Sequence, residues 1–259
     1  MLVIIPARNE AGNLPTVLAE VRQWVPDADI VVIDDASTDD TVGVAIEMGA
    51  QVLSLPCNLG YGGAVQTGFR FAVERGYDYA ILLDADGQHD PRCVVALAAP
   101  VLAGDADVAI GSRFLGETSY RATWTRRAGM ALFAAIVSRL TGRRVTDPTS
   151  GFQALNRRAL RFFAKDNYPS DYPDADTLLA LHYAGFCVVE VPVCMRDRLS
   201  GLSMHGSWRV VYYIFKMLLS ILNILLRQKT LRPPWEQAPG TATPPTEAAG
   251  QSEHSSRKA

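Results

Sequence analysis

Short apolar runs alternate with helical apolar stripes over the first 110 residues. Residues 2–5, 30–33, 51–55, 79–83 and 108–110 read as strands, and several carry no polar alternation. Such runs predict strands covered on both faces, as in a parallel sheet sandwiched between helices. In the first intervening helix, Leu14, Val17, Leu18, Val21 and Val25 share one face, with Asn13 as N-cap and Pro15 in the first turn. Ser37, Thr38 and Asp39 supply turn and cap chemistry for a second helix, which carries Val42 and Ile46 and is closed by Gly49. A third helix follows the glycine-rich stretch 58–64 and runs to about Arg75; a fourth spans 91–102. The alternation predicts an α/β fold with an open, mostly parallel sheet. Ligands of such sheets bind beyond the carboxyl ends of the strands.

Three of those ends carry polar clusters: Arg8-Asn9-Glu10, Asp34-Asp35 and Asp84-Ala85-Asp86. In an extended chain Asp84 and Asp86 point to the same side. With the amide oxygen of Gln88 they form a hard-oxygen set suited to Mg²⁺ or Mn²⁺. A lone Asp-x-Asp is equally an acidic turn after a strand, so the convergence of three polar ends carries the site. The stretch Asn58-Leu59-Gly60-Tyr61-Gly62-Gly63-Ala64 lacks the Lys-Ser/Thr of a nucleoside-triphosphatase loop and the dinucleotide fingerprint. Its glycines serve either phosphate contact or close backbone approach.

Beyond Gly111 the chain turns basic. Arg113, Arg121, Arg126, Arg127, Arg139, Arg143 and Arg144 lie in or around a helix with an apolar side. They form either a solvated face or the docking side for a phosphate-bearing partner at a membrane. A loop at 147–152, a helix opened by Asp174 and Asp176 and ending near Tyr183, and a strand at 186–193 follow. Residues 209–227 form a helix roughly 28 Å long. Arg209, Lys216, Ser220, Asn223 and Arg227 recur on one stripe of it and the rest is mostly apolar. That pattern predicts an amphipathic helix on a membrane surface, on the protein's own core or on a twin chain. The Pro-, Ala- and Thr-rich residues 233–259 predict a disordered tail. The expected domains are therefore 1–206, 207–232 and 233–259.

Bulk properties narrow the partners. The 259 residues carry a net charge of −2, which gives no global attraction to nucleic acid. The four cysteines lack metal or disulfide-framework spacing and read as reduced thiols in a cytosolic setting. The first residues lack the basic segment of a signal peptide.

An ordered set of motifs resembles family 2 inverting glycosyltransferases of the GT-A fold, and more narrowly the dolichyl- or polyprenyl-phosphate sugar synthases. The matching stretches are Ile5-Pro6-Ala7-Arg8-Asn9-Glu10, Val32-Ile33-Asp34-Asp35, the glycine stretch at 58–64, Asp84-Ala85-Asp86-Gly87-Gln88-His89-Asp90-Pro91, Gly111-Ser112-Arg113, Thr149-Ser150-Gly151-Phe152, and Glu190-Val191-Pro192-Val193 with Arg198, Gly201 and Ser203. The resemblance implies a Rossmann-like sheet and transfer of a hexose from a nucleotide-sugar to a polyprenyl phosphate. It implies that Pro6, Ala7, Arg8, Glu10, Asp35, Gly63, Asp84, Ala85 and Asp86 hold the donor. Asp84, Asp86 and Gln88 would bind Mg²⁺ or Mn²⁺. Arg113, Arg126, Arg127 and Arg198 would meet the acceptor phosphate. Asp86, Arg113 and Asp176 are the implied catalytic residues. Arg8 replaces a common aromatic, and Met204-His205 replaces an expected lysine. Where some members carry spanning helices, segment 209–227 stands instead, giving a peripheral protein on the cytoplasmic membrane face, with a homo-oligomer as a further expectation.

A lipid phosphate is largely dianionic at neutral pH, with a second pKa of about 6, and needs no general base. A sugar hydroxyl on a lipid-linked glycan needs one. Asp147, Asp174 and Asp176 are the carboxylates available for that alternative.

Overall fold

The computed structural model describes residues 1–115, 124–165, 168–169, 173–196 and 207–231; within these, the side chains of 124–128, 207–213 and 229 are not described. Seven strands form one sheet in the order β3-β2-β1-β4-β6-β5-β7. They are β1 (Leu2–Ala7), β2 (Asp29–Asp34), β3 (Gln51–Ser54), β4 (Tyr79–Leu82), β5 (Val108–Ser112), β6 (Gln153–Asn156) and β7 (Val188–Pro192). The pairs β1–β2, β1–β4, β2–β3 and β5–β7 are parallel. β6 runs antiparallel to both β4 and β5 and joins the two parallel groups.

The apolar runs become buried strands with two-residue alternation between sheet faces. Leu2 and Ile4 of β1 and Val31 and Ile33 of β2 enter the core on one face. Val3, Ile5 and Val32 enter the core on the other. The second face is covered by α1 (Leu14–Trp24), α2 (Thr41–Glu47) and α4 (Val94–Leu102). The first is covered by α3 (Gly60–Glu74), α5 (Trp124–Thr141), α6 (Arg157–Phe163) and α7 (Ala175–Tyr183).

Two local expectations change. Asn13 precedes α1 but makes no capping bond; its amide donates to Glu10 Oε2 at 2.5 Å. The expected helix from Pro91 begins as a 3₁₀ turn, Pro91–Cys93, capped by Asp90 accepting from the Arg92 N–H. β6 and α6 were not foreseen from the apolar pattern. Asn156 ends β6 and caps α6 by accepting from the Ala159 N–H at 2.9 Å.

The last helix, α8 (Ser207–Leu231), lies against α7. Met217, Ile221, Ile224 and Leu231 are buried in the core beside Leu178 and Leu181. The expected polar stripe is not one solvent face: Ser220 turns inward, while Asn223 and Arg227 are exposed. A second stripe, Phe215, Leu218, Leu219, Leu222 and Leu226, is apolar and exposed. No helix among the described residues is long and apolar enough to cross a membrane.

Candidate active site

The polar ends of β1, β2 and β4 stand side by side because those strands are neighbours. Two loops are laced together over β1 and β2. The Asn9 N–H donates to Ser37 Oγ at 2.9 Å, the Glu10 N–H to Thr41 Oγ1 at 2.9 Å, and the Ala11 N–H to Asp39 Oδ2 at 3.1 Å. Asn9 Oδ1 accepts from the Thr38 N–H at 2.7 Å. Asn9 and Ala36 take left-handed backbone angles, φ 56° and 54°. For an alanine this costs on the order of 1–2 kcal/mol, which the surrounding bonds offset. Pro6 and Ala7 close β1 and are buried, whereas Arg8 is exposed at the loop tip.

The glycine stretch is the first turn of α3. Its N-terminus already holds an anion: Asp35 accepts from the Leu59 N–H at 2.6 Å and the Gly60 N–H at 3.1 Å. Backbone donors there that could have cradled a phosphate are thus committed to a carboxylate. Gly63 is needed for packing, since a Cβ there would lie 2.6 Å from Leu59 Cβ. Close approach therefore accounts for Gly63, whereas Gly60 takes a left-handed backbone angle, φ 81°.

Asp84 and Asp86 follow β4. The Asp84 side chain is 29% exposed, and its Oδ1 accepts from Tyr61 Oη at 2.8 Å. Its backbone N–H donates to Nδ1 of buried His89 at 3.0 Å. The His89 ring stacks on Phe152 with centroids 4.8 Å apart. Nε2 of the same ring lies 3.6 Å from Asp84 Oδ2, outside hydrogen-bonding reach. Asp86 is buried, and its Oδ1 accepts from the Gln88 N–H at 3.0 Å. The carbonyl of Gln88 accepts from the Arg196 N–H at 2.9 Å. Across from Asp84 lies Gly151. A Cβ there would come 2.7 Å from Tyr61 Oη and 3.4 Å from Asp84 Oδ2.

These residues fit a divalent cation arriving with a diphosphate. The donors are hard oxygens, and the Asp84 side chain is 29% exposed. Among the described residues no group of three His, Cys, Asp or Glu forms a closed metal site.

The β5 end is built differently. Arg113 is 5% exposed and Asp147 is fully buried. The guanidinium donates to Asp147 through Nε and Nη2, both at 2.6 Å, and through Nη2 to Thr149 Oγ1 at 2.7 Å. Glu190 of β7 fastens the next layer. It accepts from the Thr146 N–H at 2.9 Å and the Asp147 N–H at 2.7 Å. Arg113 therefore braces the loop leading to Gly151 and is held away from solvent.

Residues 2–163 match the family model described as Glycosyl transferase family 2. The chain belongs to that family. It is 34% identical over 226 residues to the polyprenol monophosphomannose synthase of Mycolicibacterium smegmatis, covering 83% of this chain and 84% of that one. It is also 34% identical to the undecaprenyl-phosphate mannosyltransferase of Micrococcus luteus, over 80% of this chain and 88% of the relative. Glucosyl-3-phosphoglycerate synthase from Mycobacterium tuberculosis, solved with Mn²⁺ and UDP-glucose, superposes with a TM-score of 0.66 at 22% identity, covering 86% of this chain and 77% of that one. The fold is GT-A, and the protein is a glycosyltransferase.

In this family 2 transferase, the Asp176 side chain is closed off from solvent. It is 1% exposed, in the first turn of α7 beneath α8. Its Oδ1 accepts from the N–H groups of Asp174 at 3.1 Å and Thr177 at 2.9 Å, and its Oδ2 accepts from Ser220 of α8. Burial raises its pKa above 3.8, against the pull of those hydrogen bonds. Asp147 is likewise committed. Arg126 and Arg127 lie on α5 with side chains outside the described residues, and Arg198 lies outside them altogether. Sequence reasoning gave no role to Tyr61, His89, Gly151 or Glu190. All four stand in the quoted motifs, but only the fold brings Tyr61 and Gly151 to Asp84.

Proposed function

We propose that this glycosyltransferase moves mannose from a nucleotide-sugar to the phosphate of a polyprenyl lipid, with a divalent cation, at the cytoplasmic face of a membrane. The observation that carries the reading is the carboxylate pair Asp84 and Asp86 just past the end of β4, with Asp84 partly exposed, in a chain 34% identical to two enzymes named for mannosyl transfer to polyprenyl phosphates.

Pro6, Ala7, Arg8 and Glu10 form the nucleoside side, with Asp35 fixing its wall through α3. Asp84 and Asp86, with Ala85 and Gln88 between and after them, face the diphosphate. A bound Mg²⁺ or Mn²⁺ supplies positive charge to the departing nucleotide. Arg126, Arg127 and Arg198 orient the acceptor phosphate, and Arg113 shapes the loop that meets it. The acceptor oxygen attacks the anomeric carbon from the face opposite the diphosphate and inverts it.

The state of the buried acids favours a phosphate acceptor. A hydroxyl acceptor needs an accessible base. Of the three candidate acids, Asp147 is spent on Arg113 and Asp176 is buried against Ser220, which leaves a hydroxyl acceptor only the half-buried Asp174 as base. A phosphate dianion attacks without one. The exposed stripe on α8 supports contact with a lipid surface, where such an acceptor resides.

The test is transfer of radiolabel from GDP-mannose, UDP-glucose and UDP-galactose to polyprenyl phosphate, with Mg²⁺ or Mn²⁺ and with chelator. Label entering the lipid phase from GDP-mannose only when metal is present supports the proposal. Label entering a glycan and never the lipid phosphate overturns it.

A further inference from the structure

We infer that Tyr61 is a positioning residue for Asp84: its hydroxyl holds one carboxylate oxygen and thereby presents the other to the cation and diphosphate. The inference rests on the donor-site reading above and goes beyond it in naming what fixes the acid.

Three observations carry it. The first is the 2.8 Å bond from Tyr61 Oη to Asp84 Oδ1. A carboxylate turns easily about its last torsion, which has broad, twofold wells. This bond, with the backbone N–H pinned on His89, removes that freedom. Among the described residues Oδ2 accepts no hydrogen bond, so it is the oxygen left for a ligand.

The second is Gly151. Its backbone does not lie in the left-handed region, so conformation does not demand a glycine. Space does: a Cβ would sit 2.7 Å from the tyrosine oxygen. The missing side chain makes room for that oxygen on Asp84.

The third is the tyrosine's setting. The residue is 37% exposed, so it borders the cleft, yet its hydroxyl end is enclosed. The first turn of α3, which carries it, is itself tied down by Asp35.

The experiment measures Mn²⁺ binding, by calorimetry and by loss of the free-ion paramagnetic resonance signal, with GDP and with UDP present. Tyr61→Phe removes a single oxygen. Partners of this kind contribute roughly ten- to hundredfold to metal affinity, and a loss of that size is expected with the thermal midpoint unchanged. In turnover, the half-saturating Mn²⁺ concentration should rise, and excess Mn²⁺ should restore kcat. A purely structural role would lower the midpoint and leave the metal dependence alone. Gly151→Ala should reproduce the loss in the wild type and cost less on the Tyr61→Phe background, because its clash partner is gone. Wild-type Mn²⁺ affinity in Tyr61→Phe would overturn the inference. Failure of the unmutated protein to bind Mn²⁺ with either nucleotide would overturn the metal reading itself, and this inference with it.

Discussion

At the end of β4, Asp84 stands 29% exposed with one oxygen held by a tyrosine and the other open. At the end of β5, Arg113 and Asp147 are closed on each other, and Glu190 secures the backbone beneath them. Both clusters carry conspicuous charged residues of the family motifs. One keeps its charge available to a ligand; the other spends its charge inside the protein. A charged residue in a family motif is therefore not by itself a ligand contact. Burial and partners decide whether it performs chemistry or shapes the loop that does.

The comparison can be broken first at Asp84. Asp84→Asn keeps the oxygen that accepts from Tyr61 and removes the charge. Transfer should fall by about 10²–10³-fold, the usual scale for losing one preorganised electrostatic group. The thermal midpoint should stay put. A variant retaining most of its activity would remove Asp84 from the mechanism.

Asp147→Asn should show the opposite profile. It leaves the Arg113 guanidinium buried beside a neutral amide. Breaking a buried pair from one side costs about 3–5 kcal/mol. At roughly 2–4 °C per kcal/mol for a domain of this size, the midpoint should drop by about 6–20 °C. Differential scanning calorimetry reads it directly, and an unchanged midpoint would contradict the bracing role. Glu190→Gln should act in the same direction but less, by about 1–3 kcal/mol, because its amide still offers one acceptor.

The exposed stripe of α8 sharpens the comparison with the buried one. Replacing Leu222 and Leu226 together by Asp should weaken binding to vesicles of anionic phospholipid at least about tenfold, given roughly 1.5–3 kcal/mol for each leucine withdrawn from water. Sedimentation with vesicles measures it, and the fold should be untouched because both residues are exposed. Undiminished sedimentation would count against a membrane face on this helix.

The smallest expected effect is a pH slope. Burial lifts Asp176 above 3.8, so the native state holds this proton where the unfolded chain has released it. Its contribution to stability is fullest below 3.8, declines as pH rises toward the folded pKa, and is level above that. Asp176→Asn should remove this decline, making the midpoint of the variant less pH-dependent than wild type as pH rises above 3.8. Identical profiles would show that Asp176 titrates alike in both states.

The parallel half of the sheet was legible because β1, β2 and β4 are buried apolar runs followed by helices, and only the edge strand β3 is less buried. β6 was not. It is four residues long, Gln153–Asn156, runs against its neighbours and lacks the strand–helix rhythm. Asn156 ahead of Leu160 and Phe163 was the cap signal that could have found α6. The carboxylates of the donor side were visible because they sit at strand ends. The commitments of Arg113 and Asp176 were not. Their partners, Asp147 and Ser220, lie 34 and 44 positions away. Ser220 falls on a helical stripe of polar residues, and that spacing alone points to solvent.

The most direct test of the account measures Asp84→Asn and Asp147→Asn side by side for sugar transfer to polyprenyl phosphate and for thermal midpoint. The account predicts that Asp84→Asn is nearly inactive at the wild-type midpoint, and that Asp147→Asn has a clearly lowered midpoint. A destabilised Asp84→Asn, together with an Asp147→Asn that keeps its midpoint and loses only activity, would contradict it by exchanging the roles of the two ends of the sheet.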